Sequence, residues 1–318
     1  MNRVTNTTNH TRTDRVIPVF FAVDDHYAPF LAVAIRSLIY NASPDYEYHI
    51  YVLIKQLASE HQKHLLNMTR NNVKIELVDV SERLTLFHEA LHVRDYYTCA
   101  TYYRFFIPDL FPQYDRAIYL DSDIVVKGDI SKLYRTPLNG HMLGAVADDM
   151  VNDFDVFGDY VEAVVQVARS EYFNAGILLM DLDKMRRVGL YDSFISLLTQ
   201  KTFRVAQDQD YLNVLCQGKI ELLDDCWNKN ARPDASEPHD LHIIHFKINW
   251  KPWHYKGVRF EEHFWKYADM TPYKEWLVNL RDHYKKEDKE RDEAQYQALL
   301  ALALSETKKA RGSLLIAQ

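Results

Sequence analysis

The first eighty residues alternate between apolar runs and segments with apolar residues at helical spacing. Residues 16–23 are a continuous apolar run, residues 48–54 and 73–80 are mainly apolar, and each of the three has the length of one strand. Residues 27–40 and 59–70, which lie between the runs, are predicted to be helices. A strand–helix–strand–helix–strand order is typical of a parallel sheet with right-handed crossovers, because parallel neighbours need a long connection. The sequence therefore predicts an α/β fold.

The alternation continues less regularly through the middle of the chain. Residues 98–110 are predicted to be a helix, and residues 117–120 a short strand that ends at an Asp-Ser-Asp triplet. Further strands are predicted over residues 142–147, 173–180, 219–223 and 241–246, and further helices over residues 191–198 and 208–217. Because no glycine-rich or proline-rich linker separates the two halves, we expect one continuous sheet.

The C-terminal segment has a different character. A strongly charged stretch at residues 281–293 precedes an apolar stretch at residues 298–304, which is too short to span a bilayer. We predict a helical appendage over residues 271–318, solvated on one face and docked through the other. We expect it to serve self-association, peripheral contact with a membrane or the access of a substrate.

Composition restricts the class of protein and its partners. Hydrophobic residues make up 47% of the 318 residues and charged residues 26%, which excludes a disordered chain. Lys and Arg number 38 against 45 Asp and Glu, so the net charge of −7 favours neither nucleic acid nor an anionic membrane as a partner. An acidic protein that handles phosphates has to place its positive charge at particular points.

The N-terminus and the cysteines indicate the compartment. Residues 1–15 are polar and lack the apolar core of a signal peptide, so we expect a disordered leader. Cys99, Cys216 and Cys226 are too few and too scattered for a disulfide framework, and they form no Cys-x-x-Cys pair for zinc. We therefore expect a cytoplasmic protein, at most peripheral at the inner face of the membrane.

Two acidic clusters directly follow predicted strands. Asp24 and Asp25 end the first apolar run, and Asp121-Ser122-Asp123 follows the strand at residues 117–120. In an open α/β sheet, ligands bind beyond the carboxyl ends of the strands. Two carboxylates one residue apart can hold Mg²⁺ or Mn²⁺ against a phosphate. The alternative is structural, because short Asp/Ser clusters after a strand are often turn or helix-cap residues.

A metal-binding Asp-x-Asp leaves two enzyme classes open. A phosphatase of the haloacid dehalogenase type carries such a motif after an apolar strand and uses its first aspartate as nucleophile. In a sugar-nucleotide transferase, the two aspartates hold a metal against a diphosphate. The phosphatase motif normally lies on the opening strand, whereas roughly a hundred residues of strand–helix pattern precede Asp121 here, which favours the transferase.

A histidine and a lysine follow another predicted strand. His245 lies at the end of the strand at residues 241–246, and Lys251 follows it on a loop that contains Pro and Trp. Neutral histidine is a common metal ligand, and lysine is a natural point charge for a phosphate. For an isolated pair of this kind, a purely structural histidine would be the commoner explanation.

Four polar residues, Gln207-Asp208-Gln209-Asp210, open the helix predicted at residues 208–217. Acidic residues in a first helical turn often cap the helix and complement its dipole. Two glutamines alternating with two aspartates nevertheless exceed what one cap needs. We therefore treat this group as a candidate part of the site.

Six stretches of the chain, in this order, resemble glycosyltransferase family eight, which contains bacterial lipopolysaccharide galactosyltransferases and the glycogenins. They are FFAVDDHYAPFLAVAIRSL (20–38), ATYYRFFIPDLFPQYDRAIYLDSDIVVKGDI (100–130), LGAVADD (143–149), YFNAGILLMDL (172–182), QDQDYLN (207–213) and HFKINWKPWH (245–254). Several motifs in one order are more specific than any single motif. The resemblance implies a GT-A type nucleotide-sugar-binding fold with a central mixed, mostly parallel sheet, and residues 16–270 as its catalytic domain.

The resemblance also implies roles for individual residues. The implied metal ligands are Asp121, Asp123 and His245, which would bind Mn²⁺, with Mg²⁺ as the alternative. The implied donor-binding residues are Ala22, Asp24, Tyr27, Arg104, Ser122, Asn174, Ala175 and Lys251. The implied catalytic residues around the transferred hexose are Gln209, Asp208 and Asp148.

A retaining, metal-dependent transferase is the implied function, moving galactose or glucose from a UDP-sugar to a glycan, a lipid-linked sugar or a protein. Retention can proceed through a covalent intermediate or through same-face displacement, and Gln209, a poor nucleophile, favours the second route. A sugar-nucleotide-binding protein without catalysis is the alternative, which the intact metal and lysine positions oppose. The chain departs from the family pattern at His26, where the family often has Asn, and at Ile248, where it often has Gly.

Overall fold

The structure is a computed structural model and describes residues 15–85 and 99–316. In these residues the strands are β1 (Val16–Ala22), β2 (Glu47–Ile54), β3 (Val73–Asp79), β4 (Arg116–Leu120), β5 (Ile124–Val126), β6 (Leu143–Ala147), β7 (Phe173–Asp181), β8 (Ile220–Leu222), β9 (Lys229–Asn230) and β10 (Ile243–His245). The predicted leader lies outside the described residues, apart from Arg15.

The central sheet has seven strands in the order β3-β2-β1-β4-β7-β6-β8. β1 is parallel to β2 and β4, β2 is parallel to β3, and β6 is parallel to β8. β7 is antiparallel to both β4 and β6. The predicted α/β class with a mixed, mostly parallel sheet is therefore confirmed.

The expectation of one continuous sheet is wrong, because β5, β10 and β9 form a separate three-stranded sheet. β10 lies within the strand predicted at residues 241–246, but β5 and β9 contain only three and two residues, which is too short for a readable hydrophobic period. β5 and β10 are antiparallel, and His245 is paired with Ile124. The small sheet thereby brings His245 beside Asp123, the residue before Ile124.

The α-helices of the described residues are α1 (Ala28–Asn41), α2 (Ser59–Leu66), α3 (Ser81–Thr85), α4 (Ile107–Leu110), α5 (Ser131–Tyr134), α6 (Asp149–Asp153), α7 (Asp155–Tyr160), α8 (Leu182–Arg187), α9 (Leu190–Gln200), α10 (Asp208–Cys216), α11 (Glu261–Ala268), α12 (Lys274–Asp282) and α13 (Lys286–Ile316). A π-helical turn, Val161–Val165, continues α7, and 3₁₀ helices occupy Cys99–Phe106 and Asp225–Trp227. The short helices between β5 and β7 and after β7 were not predicted.

The helix predicted at residues 98–110 is a 3₁₀ helix, Cys99–Phe106, followed by the single turn α4. Residue 98 lies outside the described part of the chain. In a 3₁₀ helix, side chains three residues apart are eclipsed. Thr101 and Arg104 therefore point the same way, and both contact Asp208. The tighter coil thus places two donors on one carboxylate.

β1 is buried on both faces, as its continuous apolar run predicts. Val19 and Phe21 pack in the cluster that contains α1, whereas Phe20 points to the opposite face and stacks on Tyr51, with ring centroids 5.2 Å apart. Successive side chains of a strand face opposite sides, so a strand between two helical layers is apolar throughout. The end of β1 is fixed by this packing at the centre of the molecule.

The C-terminal helix α13 packs against α7 and the π-helical turn. Ala303 and Thr307 are buried in this contact face. Near the start of the helix, Asp292 accepts hydrogen bonds from Tyr255 (2.8 Å) and Tyr284 (2.7 Å). Within residues 15–85 and 99–316, no helix combines the length and the apolar character needed to cross a bilayer. The division into a domain at residues 16–270 and an appendage at 271–318 stays a prediction.

Candidate active site

Three potential metal ligands converge beyond the ends of the strands. Asp121 follows β4, Asp123 precedes β5, and His245 ends β10; their ligand atoms all lie within 4.8 Å of one another. His245 Nε2 is 3.2 Å from Asp123 Oδ1 and 3.9 Å from Asp121 Oδ2. A Cβ atom at Gly176 would lie 2.4 Å from His245 Cε1 and 2.8 Å from Asp121 Oδ2. The glycine thus leaves the room in which these ligands approach each other.

The tautomer of His245 follows from a chain of hydrogen bonds that begins at a backbone donor. Gly176 N–H donates to Asn174 Oδ1 (3.0 Å), which fixes the orientation of that amide. Asn228 Nδ2 therefore donates to Asn174 Oδ1 (2.9 Å), and Asn228 Oδ1 faces His245 Nδ1 at 2.9 Å. Nδ1 therefore carries a proton, and Nε2 is the nitrogen that faces the aspartates and is placed to bind a metal. A neutral imidazole in this tautomer is the form that binds a metal.

Two cations neutralise the carboxylates. The Lys251 ammonium binds the Asp123 carboxylate and the Phe246 carbonyl. Burial opposes ionisation of Asp123, but the Lys251 ammonium, together with His245 in its protonated form, outweighs burial and holds the pKa of Asp123 below its ordinary value. Arg104, which is 4% exposed, lies 3.1 Å from Asp121 Oδ1 through Nη2. Positive charge is therefore concentrated at this site in an acidic protein, as the net charge led us to expect.

Arg104 also connects the metal-ligand cluster to α10. Its Nε lies 3.1 Å from Asp208 Oδ2, and Thr101 donates to Oδ1 of the same carboxylate. Burial raises the pKa of Asp208 to about 6, although Arg104 and Thr101 favour the ionised form. Thr101 and Arg104 lie on another segment of the chain, so a role as helix cap alone does not explain the contacts of Asp208.

Gln209 lies at the centre of a hydrogen-bond network. Its Oε1 accepts from Ala175 N (3.0 Å) and Asn174 Nδ2 (3.1 Å). Its Nε2 donates to Asp148 Oδ2 (3.0 Å) and to Tyr172 OH (3.2 Å). Asp148 Oδ2 also accepts from Asn174 (3.0 Å), and Asp148 Oδ1 caps α6 by accepting from Met150 N (2.9 Å). Both hydrogens and both lone pairs of the Gln209 amide are thus occupied.

These side chains line one cavity, which opens to solvent and has a volume of about 230 Å³. Its polar side contains nine of the predicted site residues: Arg104, Asp121, Asp123, Asp148, Asn174, Ala175, Asp208, Gln209 and His245. Its apolar side is formed by Met150, Val151, Phe157, Val161, Val205, Ile248 and Leu299. The cavity therefore has a charged end at the metal-ligand cluster and an apolar end that includes a residue of α13.

The family model for glycosyl transferase family 8 matches residues 18–257, a range that contains the whole cluster. The chain belongs to glycosyltransferase family 8. It is 26% identical over 292 residues to the lipopolysaccharide 1,2-glucosyltransferase of Escherichia coli, covering 83% of this chain and 80% of that protein. The predicted family is thereby confirmed.

Other family relatives are longer than this chain. A putative glycosyltransferase of Haemophilus influenzae is 27% identical over 212 residues, which cover 66% of this chain and 62% of that protein. Glycosyltransferase GlyF of Streptococcus pneumoniae is 29% identical over 265 residues, 79% of this chain and 61% of that protein. The chain thus spans less than two thirds of the length of both relatives.

Solved structures share the fold. The apo structure of the bifunctional glycosyltransferase WbbM superposes with a TM-score of 0.74 at 26% identity, covering 84% of this chain and 52% of that one. The galactosyltransferase LgtC, solved with donor and acceptor sugar analogues, gives a TM-score of 0.66 at 25% identity, covering 80% and 96%. The central sheet of this family 8 chain is therefore that of a GT-A type glycosyltransferase.

The remaining predicted donor-binding residues of this family 8 chain lie beside the cavity. Ser122 Oγ donates to the Ala22 carbonyl (3.2 Å), which ties the Asp-Ser-Asp turn to the end of β1. Asp24 Oδ1 accepts from Tyr27 N (3.0 Å), so Asp24 also holds the turn into α1. The charge of Lys251 is the largest single effect on the pKa of Tyr27 and lowers it. Burial and the nearby carboxylates together outweigh this effect, so the pKa of Tyr27 is raised. The structural alternative for Asp24 therefore applies, and its contact with uridine stays a proposal.

Sequence patterns missed several residues of the site. Asn228 lies in an irregular segment after a 3₁₀ turn, and no spacing or motif marks it. Thr101 and Tyr172 lie within stretches that resemble the family, but neither was singled out. Lys247 follows His245 by two residues and is buried, with Nζ 2.6 Å from Asp149 Oδ1 and 3.7 Å from Asp148 Oδ1. Its position two residues after the candidate metal ligand His245 could have marked Lys247 as a site residue.

Ile248 replaces the glycine that is frequent in the family, yet its backbone has a conformation that favours glycine. Its φ angle is +52°, in the left-handed region, where a β-branched residue is strained by about 1–3 kcal/mol. Lys247 on one side and Lys251 on the other are anchored by their ion pairs to Asp149 and Asp123. The loop between His245 and Lys251 is therefore held in this shape from both ends.

Proposed function

We propose that the protein is a retaining, metal-dependent hexosyltransferase that moves galactose or glucose from a UDP-sugar to a glycan, a lipid-linked sugar or a protein. The observation that carries the proposal is the convergence of Asp121, Asp123 and His245 with Lys251 at one end of the cavity that Gln209 lines. The similarity to a lipopolysaccharide 1,2-glucosyltransferase and to LgtC, solved with donor and acceptor sugar analogues, supports it.

The charged end of the cavity suits a nucleoside diphosphate. Asp121, Asp123 and the Nε2 lone pair of His245 would hold Mn²⁺, with Mg²⁺ as the alternative hard cation. A bound divalent cation supplies positive charge that stabilises the diphosphate as it leaves. Lys251 adds a further charge on the same side, because its ammonium contacts Asp123.

The remaining residues are assigned by their position in the cavity. Asp208, Asp148 and Asn174 would bind the hydroxyl groups of the transferred hexose, and Arg104 would hold Asp208 and Asp121 at a fixed distance. Ala22, Asp24, Tyr27, Ser122 and Ala175 would contribute the rest of the donor site. These assignments follow from the family motifs and agree with the contacts described above.

The favoured reaction is displacement on one face of the sugar. The bond from the anomeric carbon to the diphosphate oxygen breaks, and the acceptor hydroxyl oxygen forms its bond on the same face. The acceptor proton passes to the leaving phosphate oxygen. Gln209 offers no free nucleophilic atom, and Asp208 and Asp210 are buried and hydrogen-bonded, which disfavours a covalent intermediate. Gln209 would instead lie against the hexose with its amide dipole fixed.

The acceptor would be a sugar whose carrier group, a glycan, lipid or protein, lies against the apolar wall of the cavity. Leu299 places α13 in that wall, and this helix is the part of the chain to which we assign acceptor access, self-association or peripheral membrane contact. A cytoplasmic location, peripheral at the inner membrane face, fits a lipid-linked acceptor. A sugar-nucleotide-binding protein without catalysis remains the alternative function.

The test is a UDP-release assay with UDP-galactose and UDP-glucose, with Mn²⁺ and after treatment with EDTA. We expect UDP to be released from one of the two donors, and only in the presence of the metal. Transfer to an acceptor panel of glycans and lipid-linked sugars should then give a product whose anomeric configuration, measured by NMR, is that of the donor. An inverted product, or metal-independent release, would contradict the proposal. Binding of the UDP-sugar without any turnover would favour the alternative.

A further inference from the structure

Asp210, the neighbour of Gln209 in α10, has a buried carboxylate that holds two tyrosines. It is 0% exposed. Its Oδ1 accepts a hydrogen bond of 2.7 Å from Tyr172, and its Oδ2 accepts one of 2.7 Å from Tyr160. Ala206 N donates to Oδ2 as well, at 3.0 Å. Burial raises the pKa of Asp210 to about 6, so the carboxylate is ionised at pH 7.5.

The ionised carboxylate sets the direction of the hydrogen bonds around it. A carboxylate only accepts, so the single hydroxyl proton of Tyr172 points to Asp210. The Tyr172 oxygen is then left as an acceptor for Gln209 Nε2, 3.2 Å away. On the other side, Ala175 N–H can only donate, and Gln209 Oε1 accepts from it at 3.0 Å. The orientation of the Gln209 amide is thus fixed, because Ala175 N–H can only donate to its oxygen and the Tyr172 oxygen can only accept from its NH₂ group.

We propose that Tyr172 and Asp210 are positioning residues, which hold the Gln209 side chain in one orientation against the transferred hexose. The inference rests on the proposed function, in which Gln209 lies beside the reacting carbon. Neither Tyr172 nor Asp210 is assigned a contact with the reacting atoms. Both act through the Gln209 amide, whose reversal would turn its NH₂ group towards Ala175 N–H and its oxygen towards Asp148 and Tyr172.

Tyr160 provides a matched comparison. Its hydroxyl binds the same carboxylate as that of Tyr172, at the same distance and with equal burial, but its partner atom is Oδ2. Removal of this hydroxyl leaves Oδ2 with the Ala206 N–H bond and leaves Tyr172 in place. A merely structural cluster would respond alike to the loss of either hydroxyl. A positioning chain would respond mainly to the loss of Tyr172.

Asp210→Asn reverses one hydrogen bond without changing the shape of the side chain. Because Ala206 N–H can only donate, the asparagine oxygen must occupy the Oδ2 position. The asparagine NH₂ group then faces Tyr172, whose oxygen becomes its acceptor. The Tyr172 proton is displaced towards Gln209 Nε2, which is itself a donor. The variant should therefore disturb Gln209 through Tyr172.

The experiment measures UDP release from UDP-galactose and UDP-glucose with Mn²⁺ for the wild type and for Tyr172→Phe, Tyr160→Phe, Asp210→Asn and Tyr172→Phe/Asp210→Asn. Tyr172→Phe should lower kcat about tenfold and leave KM for the donor within twofold, which is the pattern of an interaction made in the transition state. Tyr160→Phe should lower the melting temperature equally but kcat less than threefold. The double variant should lose no more activity than Asp210→Asn alone.

Equal losses of kcat in the two phenylalanine variants would overturn the inference, as would a Tyr172→Phe effect confined to KM. If the loss of kcat in the double variant equalled the product of the two single losses, Asp210 would not act on Gln209 through Tyr172. If Asp210→Asn fails to fold, the comparison of the two phenylalanine variants still decides the question. No UDP release by the wild type would instead contradict the proposed function itself, and with it this inference.

Discussion

His245 Nδ1 lies 2.9 Å from Asn228 Oδ1 and donates its proton to that oxygen. Asn228 in turn donates to Asn174, whose amide is oriented by the Gly176 backbone. Three residues linked by hydrogen bonds, Gly176, Asn174 and Asn228, therefore direct Nε2 of His245 towards the metal position before any metal binds. Partners of this kind orient metal ligands and raise their basicity.

Asn228→Ala should weaken Mn²⁺ binding about 10- to 100-fold, because it removes the acceptor that fixes the His245 tautomer. Isothermal titration with MnCl₂ measures the effect. Asn228→Asp is the matched control, since it keeps an oxygen for Nδ1–H, and it should bind Mn²⁺ more tightly than Asn228→Ala. An unchanged Mn²⁺ affinity in Asn228→Ala would contradict this role.

Gly176→Ala should separate the metal ligands, because its Cβ would lie 2.4 Å from His245 Cε1 and 2.8 Å from Asp121 Oδ2. We expect the Mn²⁺ affinity to fall at least tenfold. Gly312→Ala, at an uncrowded position of α13, should leave this affinity as it is. Titration of both variants with MnCl₂, together with their melting temperatures, distinguishes lost metal binding from a lost fold. Wild-type affinity in Gly176→Ala would show that the ligands need no such room.

The pH dependence of stability should reflect Asp210. Burial raises its pKa from 3.8 to about 6, so between these values the folded state binds more protons than the unfolded state. The free energy of unfolding therefore falls as pH rises through this window, by roughly 3 kcal/mol for a group shifted by about two units. Asp210→Asn resembles the protonated acid and does not titrate. Its melting temperature relative to wild type should thus increase from pH 4 to pH 7, and a constant difference would contradict the shifted pKa.

Gln209→Ala should lower turnover at least tenfold, about 1.4 kcal/mol, while the affinity for the UDP-sugar stays within threefold. The reason is that Gln209 is proposed to lie against the hexose, whereas Lys251, on Asp123, is proposed to bind the diphosphate. Initial rates of UDP release and titration with the donor measure the two quantities. A loss of donor affinity equal to the loss in rate would place Gln209 in ground-state binding instead.

The sequence predicted the parts of the fold that have a readable period. The apolar run at β1 is buried on both faces because helices cover the sheet, and the same pattern identifies β2 and β7. In the edge strand β3, apolar residues alternate with charged ones, which identifies a half-buried strand. The strands β5 and β9 contain three and two residues, and no pattern of that length separates a strand from a loop. The second sheet was missed for this reason, although it is the sheet that delivers His245 to Asp123.

Candidate site residues could be predicted from the sequence where they belong to a motif. Isolated polar residues of the candidate site were missed. Asp121 and Asp123 are recognisable by their spacing, and the family motifs supplied His245 and Lys251. Asn228 lies outside these motifs, and Tyr172 lies inside one that gives it no role, because a lone polar residue acquires its role only from the partners that folding brings to it. Asp208 shows the converse, since its position suggested a helix cap and its partners proved to be Thr101 and Arg104.

Metal-dependent donor binding is the central claim, and isothermal titration of the UDP-sugar tests it most directly. The wild type with Mn²⁺ should bind UDP-galactose or UDP-glucose at least tenfold more tightly than the EDTA-treated protein or Asp123→Asn, a difference of about 1.4 kcal/mol. Asp234→Asn, at an exposed carboxylate outside the cavity, should bind like the wild type. Donor affinity that is the same with Mn²⁺, with EDTA and in Asp123→Asn would contradict the account.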